Sequence, residues 1–117
     1  MTPLEVRAAT PEDLAAIWEL MHGLAKYERM TVIITGTRAQ LGEALFGERA
    51  FVEAMVAESG GRLLGYALFY PTFSSFRTRS RLWLEDLFVE PDARGTGAGR
   101  ALLASLARTS PRASGLR

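Results

Sequence analysis

Apolar residues recur along this chain with two periods, one of two residues and one of three to four. Leu4, Val6 and Ala8 alternate with polar neighbours and predict a first strand. Leu14, Ile17, Trp18, Met21, Leu24 and Ala25 keep helical spacing and predict a helix that ends near Glu28. Thr10-Pro11-Glu12-Asp13 precedes it with a capping hydroxyl, a proline for the first helical position and acids for the first turn. Thr37-Arg38-Ala39-Gln40 reads as a capping box that opens a short second helix through Leu41, Leu45 and Phe46, stopped by Gly47. Residues 51–58 and 62–70 read as two strands, joined as a hairpin at Ser59-Gly60-Gly61. Residues 71–80 are polar and aromatic and read as a loop, with Arg77, Arg79 and Arg81 as a solvated rim. There is no internal repeat, low-complexity block or domain boundary.

The stretch from Leu82 to Leu103 carries the densest pattern. Alternation puts Leu82, Leu84 and Phe88 on one face of a strand and Trp83, Leu87 and Val89 on the other. A strand apolar on both faces is expected inside a sheet. Two carboxylates interrupt it, Asp86 on the first face and Glu85 on the second, and burying an unpaired carboxylate is costly. The opposite faces imply that the two do not share a proton. Pro91 and Asp92 stop the strand, and Arg94-Gly95-Thr96-Gly97-Ala98-Gly99-Arg100 then leads into a helix through Ala101, Leu102, Leu103 and Leu106. Alternate glycines let a ligand approach the backbone closely, and a turn that opens a helix aims free N–H groups outward. With Arg94 and Arg100 at its ends, that turn suits a pyrophosphate. It is neither a Walker loop nor the dinucleotide Gly-x-Gly-x-x-Gly.

Composition narrows the picture. At 117 residues and 12.8 kDa the chain is one small domain with room for a single core. No apolar run is long enough to span a membrane, and no basic-then-apolar signal opens the sequence, so a cytoplasmic address and no membrane partner are expected. The absence of cysteine excludes disulfides, thiolate metal sites and a cysteine nucleophile, and no metal is expected. Lys26 is the sole lysine, and from Arg94 onward there are five arginines and no acid, which points to an anionic ligand. That segment has no aromatic residue to stack a base, so nucleic acid is not the expected partner. His22 beside the first helix's apolar stripe reads as a satisfied or solvated side chain with no role.

Arg94-x-x-Gly97-x-Gly99 after a strand resembles the acetyl-CoA signature of the GNAT N-acetyltransferase superfamily. Within it, the chain is similar to the spermidine/spermine (diamine) N-acetyltransferases, through Leu84-Glu85-Asp86 and Arg94-Gly95-x-Gly97-x-Gly99. The likeness extends back through residues 7–13 and through Leu24-Ala25-Lys26-Tyr27-Glu28, and covers roughly residues 4 to 107. It implies an α/β fold, an α+β arrangement on a mixed sheet, of which residues 1–107 make the N-terminal two-thirds. It further implies acetyl transfer from acetyl-CoA to a primary amine of a small diamine or polyamine, in a homodimer. Leu87, Phe88, Val89, Arg94, Gly95, Thr96, Gly97, Ala98, Gly99 and Arg100 would hold the cosubstrate. Tyr27, Glu28, Glu85 and Asp86 would line the amine pocket, with Glu85 as base, Asp86 attracting the cation, and the Leu87 N–H receiving the oxyanion. The family adds acids after the Tyr-Glu pair, whereas Arg29-Met30-Thr31-Val32-Ile33-Ile34 here is basic then apolar, which favours a small amine over a strong polycation.

The end of the chain departs from that pattern. Residues 108–117 contain Pro111 and Gly115, keep no apolar period and read as an irregular, disordered tail. The resemblance calls for a further strand, a helix, a later asparagine on CoA and a late tyrosine acid. Their absence reads as truncation through a shifted reading frame near Arg108. The alternative function is a catalytically incomplete fragment that binds CoA or dimerises.

Overall fold

The computed structural model describes residues 3–28 and 34–109. Residues 29–33, where the basic-then-apolar departure falls, lie outside these, as do residues 110–117 of the expected tail. Four strands, β1 (Glu5–Ala8), β2 (Glu53–Ser59), β3 (Arg62–Ser74) and β4 (Arg79–Val89), form one sheet in the order β1-β2-β3-β4. Every neighbouring pair is antiparallel. The mixed sheet expected from the resemblance therefore has no parallel pair among the described residues: β2, β3 and β4 follow one another as hairpins. Three helices, α1 (Leu14–Tyr27), α2 (Arg38–Phe46) and α3 (Ala98–Thr109), cover the sheet.

Two cores result. On one face α1 and α2 bury Ile17, Leu20 and Leu45 against Ala54, Val56, Tyr66, Leu68 and Phe88. On the other, α3 buries Ala98, Leu102 and Leu106 against Met55, Ala57, Ala67, Phe69 and Leu82. Helix spacing in the sequence thus does what it predicts, since the α1 stripe and the Leu102/Leu106 pair both face the sheet. Thr37 caps α2 as expected, accepting from the Gln40 N–H at 3.1 Å while the Gln40 side chain accepts from the Thr37 N–H at 2.9 Å. Gly60 and Gly61 both take positive φ in the β2–β3 turn, the backbone that suits a tight hairpin.

Three expectations need correction. Residues 71–80 are mostly strand: β3 runs through Pro71 to Ser74 and β4 starts at Arg79. Beyond Phe69, which pairs with Glu53, β3 has outrun β2 and acquires an edge, where a proline is tolerated. Secondly, β4 closes the described sheet rather than lying inside it. Its two apolar faces report helical cover on both sides, not strand neighbours. Thirdly, Leu82 and Leu84 share the α3 side with Leu87 and Val89, while Phe88 alone of its predicted apolar set joins the α1 side, together with Asp86. The cause is a register shift, with Leu68 opposite Asp86 and Phe69 opposite Leu84, which leaves Glu85 as the extra residue of a bulge.

The entry to α1 is held by a small ionic cluster. The Asp13 carboxylate accepts from Arg7 at 2.7 and 3.0 Å and from the Thr10 N–H at 2.7 Å, while Arg7 Nε donates to Glu58 at 2.6 Å. Asp13 is 6% exposed, and its hydrogen bonds to Arg7, followed by those to Thr10, outweigh desolvation and hold its pKa below the ordinary carboxylate value. Asp13→Ala is expected to destabilise the fold by about 2–3 kcal/mol, because Arg7 loses a buried partner but keeps Glu58. The folded-state pKa lies below the unfolded one, so this contribution is present above the unfolded value and is lost as pH falls through the folded one. Denaturant melts from pH 6 to acid should show wild type converging on the variant; parallel curves would refute this.

Candidate functional site

The glycine turn is built by local hydrogen bonds that leave some amides over. Thr96 Oγ1 donates to the Ala93 carbonyl at 2.7 Å and accepts from the Ala98 N–H at 3.3 Å, and the Thr96 N–H reaches Ala93 as well. Thr96 and Ala98 therefore spend their polar groups on the turn itself, and Ala98 is buried in the second core. The N–H groups of Gly95, Gly97, Gly99 and Arg100 have no partner among the described residues. Gly95 and Gly97 hold φ of +89° and +90°, a backbone side chains rarely adopt. These amides stand at the first turn of α3, where the helix dipole favours an anion.

The end of β4 adds a second set of polar groups. The Glu90 N–H donates to the Leu64 carbonyl of β3 at 2.8 Å. By alternation Phe88 also turns its amide toward β3, whereas Leu87 and Val89 turn theirs to the open edge. Phe88 thus contributes a buried ring rather than backbone, a difference from its expected role. Arg94 folds back on the protein: its Nε donates to the Val89 carbonyl at 3.1 Å and its guanidinium lies 4.0 Å from the centre of the Tyr27 ring. These groups, with Leu24, Glu28 and Ala93, line an open cleft of about 690 Å³.

A second cleft of about 360 Å³ lies on the α1 side of β4, lined by Met21, Leu24, Ala25, Glu28, Ile34, Glu85, Asp86 and Leu87. The bulge explains its acidity. An extra residue at Glu85 lets adjacent side chains turn to the same side of the strand. The expectation that Glu85 and Asp86 point to opposite faces is therefore overturned: both line this cleft, as does Glu28 from the end of α1. Glu85 is exposed and accepts from Trp83 Nε1 at 3.1 Å. Asp86 is half-buried and accepts from the Tyr66 hydroxyl at 3.0 Å. Burial raises the Asp86 pKa, opposed by the Tyr66 hydrogen bond and reinforced by the negative charges of Glu85 and Glu28. Tyr27 lines the glycine-turn cleft and not the acidic one, whereas Glu28 lines both. The two clefts share Leu24, Glu28 and Leu87.

A carboxylate whose pKa is raised on folding favours the folded state at low pH, and that advantage is lost as pH rises through the folded value. Asp86→Asn removes the ionised group while keeping an acceptor for Tyr66. The variant is expected to melt at a higher temperature than wild type at pH 8, with the gap closing toward pH 4; a lower midpoint at pH 8 would contradict this.

Tyr66 carried no signal in the sequence beyond its place in a strand run, because its partner depends on the β3–β4 register. His22 is exposed and hydrogen-bonds the Trp18 carbonyl through Nδ1, in keeping with a satisfied side chain. Among the described residues no group of three metal-ligating side chains converges, and no helix is long and apolar enough to cross a membrane.

The antiparallel sheet, its helical layers and the glycine turn at a helix start define an acetyltransferase domain, and the GNAT acetyltransferase family profile matches residues 17–117. The chain belongs to that family, whose members use acetyl-CoA as cosubstrate to acetylate amines. It is 34% identical over 102 residues to an uncharacterised N-acetyltransferase, YhfO, of Bacillus subtilis, covering 87% of this chain and 67% of the relative. It is 30% identical over 113 residues to the thialysine N-epsilon-acetyltransferase of Bos taurus, covering 90% and 66%. A human spermidine/spermine N(1)-acetyltransferase-like protein is 30% identical over 115 residues, covering 92% of this chain and 16% of that protein. The fold superposes on a possible acetyltransferase from Clostridium difficile with a TM-score of 0.81, at 19% identity and over 97% and 77% of the two chains. The chain thus spans about two thirds of the length of YhfO and of the thialysine enzyme.

Proposed function

We propose that this chain transfers an acetyl group from acetyl-CoA to the primary amine of a small diamine, polyamine or lysine-like amine. The observation that carries the reading is the meeting of the two clefts at Leu87, one lined by free amides and the other by three carboxylates. The amides of Gly95, Gly97, Gly99 and Arg100 would hold the diphosphate, and the open edge at Leu87 and Val89 would hold the pantetheine arm. A thioester drawn along that edge ends beside Leu87. The Leu87 N–H, turned outward, is the donor for the oxyanion that forms when the amine attacks. An alkylammonium with a pKa near ~10 is not a nucleophile, so a base must take its proton. Glu85, exposed at the cleft and beside Asp86, takes that role directly or through water, while Asp86 and Glu28 attract the cation. A cytoplasmic, homodimeric enzyme is part of the same proposal. The thialysine and spermidine/spermine names of the relatives support an amine with a second cationic group.

The test is thiol release from acetyl-CoA with putrescine, spermidine and thialysine, beside calorimetry with CoA. Saturable, amine-dependent release supports the proposal. CoA binding without release from any amine replaces it with a second reading, a CoA-binding or dimerising module, which the strand edge of β4 favours among the described residues. Neither binding nor release defeats both.

A further inference from the structure

Tyr66 is the largest of the fully buried side chains, and it sits in an apolar core with Ile17, Leu20, Val56, Leu68 and Phe88. A phenylalanine would fill nearly the same volume there without needing a partner for a hydroxyl. The hydroxyl has one: it donates to Asp86 Oδ2 at 3.0 Å. Two features of the fold create that contact. Tyr66 lies opposite Phe88 in the register, on the α1 side of β3, and strand alternation from Phe88 puts Asp86 on the same side, opposite Leu68. Burial, then the nearby Asp86 charge, pushes the Tyr66 pKa upward, so the phenol stays a donor. The other carboxylate oxygen has no protein partner among the described residues, and Asp86 lines the acidic cleft.

Resting on the amine-acetylation reading, we propose that Tyr66 is a positioning residue: it fixes the Asp86 carboxylate by one oxygen and leaves the other for the ammonium group of the substrate. The charged and titratable groups facing that carboxylate are Tyr66 from β3, Glu85 from β4 and Glu28 from the end of α1. Glu85 and Glu28 both disfavour a charge at Asp86, and among these groups the Tyr66 hydrogen bond favours it. The arrangement selects a cationic amine over a neutral one. It does so with a donor on the strand next door rather than a residue that touches substrate.

Tyr66→Phe removes the hydroxyl and keeps the ring. Carbon-detected titration of the Asp86 carboxyl should show its apparent pKa higher in the variant by about one unit or more, the scale of a hydrogen bond to a charged group. The KM for putrescine should rise about tenfold while that for acetyl-CoA holds. In an Asp86→Asn background the same change should leave the putrescine KM where it is, because Tyr66 acts through the carboxylate. In wild type, the Tyr66 ring-carbon shift should follow the Asp86 titration, a readout that needs no variant. An unchanged Asp86 titration in Tyr66→Phe, a Tyr66 shift that ignores Asp86, or a KM effect that persists in the Asp86→Asn background overturns the proposal. If wild type shows no turnover the amine reading falls, and the two titrations still decide whether Tyr66 holds Asp86.

Discussion

Gly97→Val should lower affinity for CoA by about a hundredfold or more while the domain stays folded. The added Cβ would meet nothing within 4 Å, so the loss does not come from a clash. It comes from φ, which is +90° in the wild-type turn and strained for any side chain, most of all a β-branched one. A valine pulls the peptide toward negative φ and rotates the neighbouring N–H groups. Gly97 and Gly99 then cease to point at a common anion, and each lost hydrogen bond to a charged oxygen is worth about 1.5–3 kcal/mol. Gly61→Val is the control. It has φ of +82° with nothing within 4 Å of its added Cβ, but lies in the β2–β3 hairpin. Both variants should lose about 1–3 kcal/mol of stability, and Gly97→Val alone should lose CoA in a calorimetric titration. Full CoA affinity in the Gly97 variant, or equal losses in the two, would remove the glycine turn from the binding site.

That turn was legible because its chemistry is local. Three glycines at alternate positions between a strand and a helix dictate free amides whatever the rest of the fold does, and Gly95, Gly97 and Gly99 behave accordingly. The finer assignments depend on which groups the turn itself consumes. Thr96 and Ala98 are in the motif, but their polar groups close the turn, a distinction set by hydrogen-bond geometry. The helices were readable from spacing and caps, Thr37 and Gln40 above all. What the sequence hid was long-range. Alternation is a rule about an unbroken strand, and β4 is broken at Glu85 by pairing with β3, which no residue of β4 announces. That single insertion moved Leu82 and Leu84 to the other core and gathered two acids into one cleft. The strand extensions at Pro71 and Arg79 were hidden for a similar reason, since whether proline disrupts a ladder depends on whether a neighbour is there to bond.

The bulge also decides the largest catalytic effect to be expected. Glu85→Gln should cut turnover with putrescine by about 10²–10⁴-fold, the range of a positioned general base, and leave CoA affinity within about twofold. The substitution is close in shape, and its side-chain oxygen can still accept from Trp83 Nε1, which now bonds Glu85 at 3.1 Å. What it removes is the ability to take a proton. Asp86 cannot substitute well: one of its oxygens is held by Tyr66, and its half-buried position gives a proton less access to solvent. Glu85 is exposed, so a proton taken from the amine can leave to solvent between turnovers. The pattern across variants separates the roles. Loss at Glu85 should fall on kcat, whereas Asp86→Asn and Glu28→Gln should fall chiefly on the KM of the amine, since they weaken attraction for the cation. Wild-type turnover in Glu85→Gln would take the base away from Glu85, and Asp86, already on the same side of the strand, would be the group to examine for the proton.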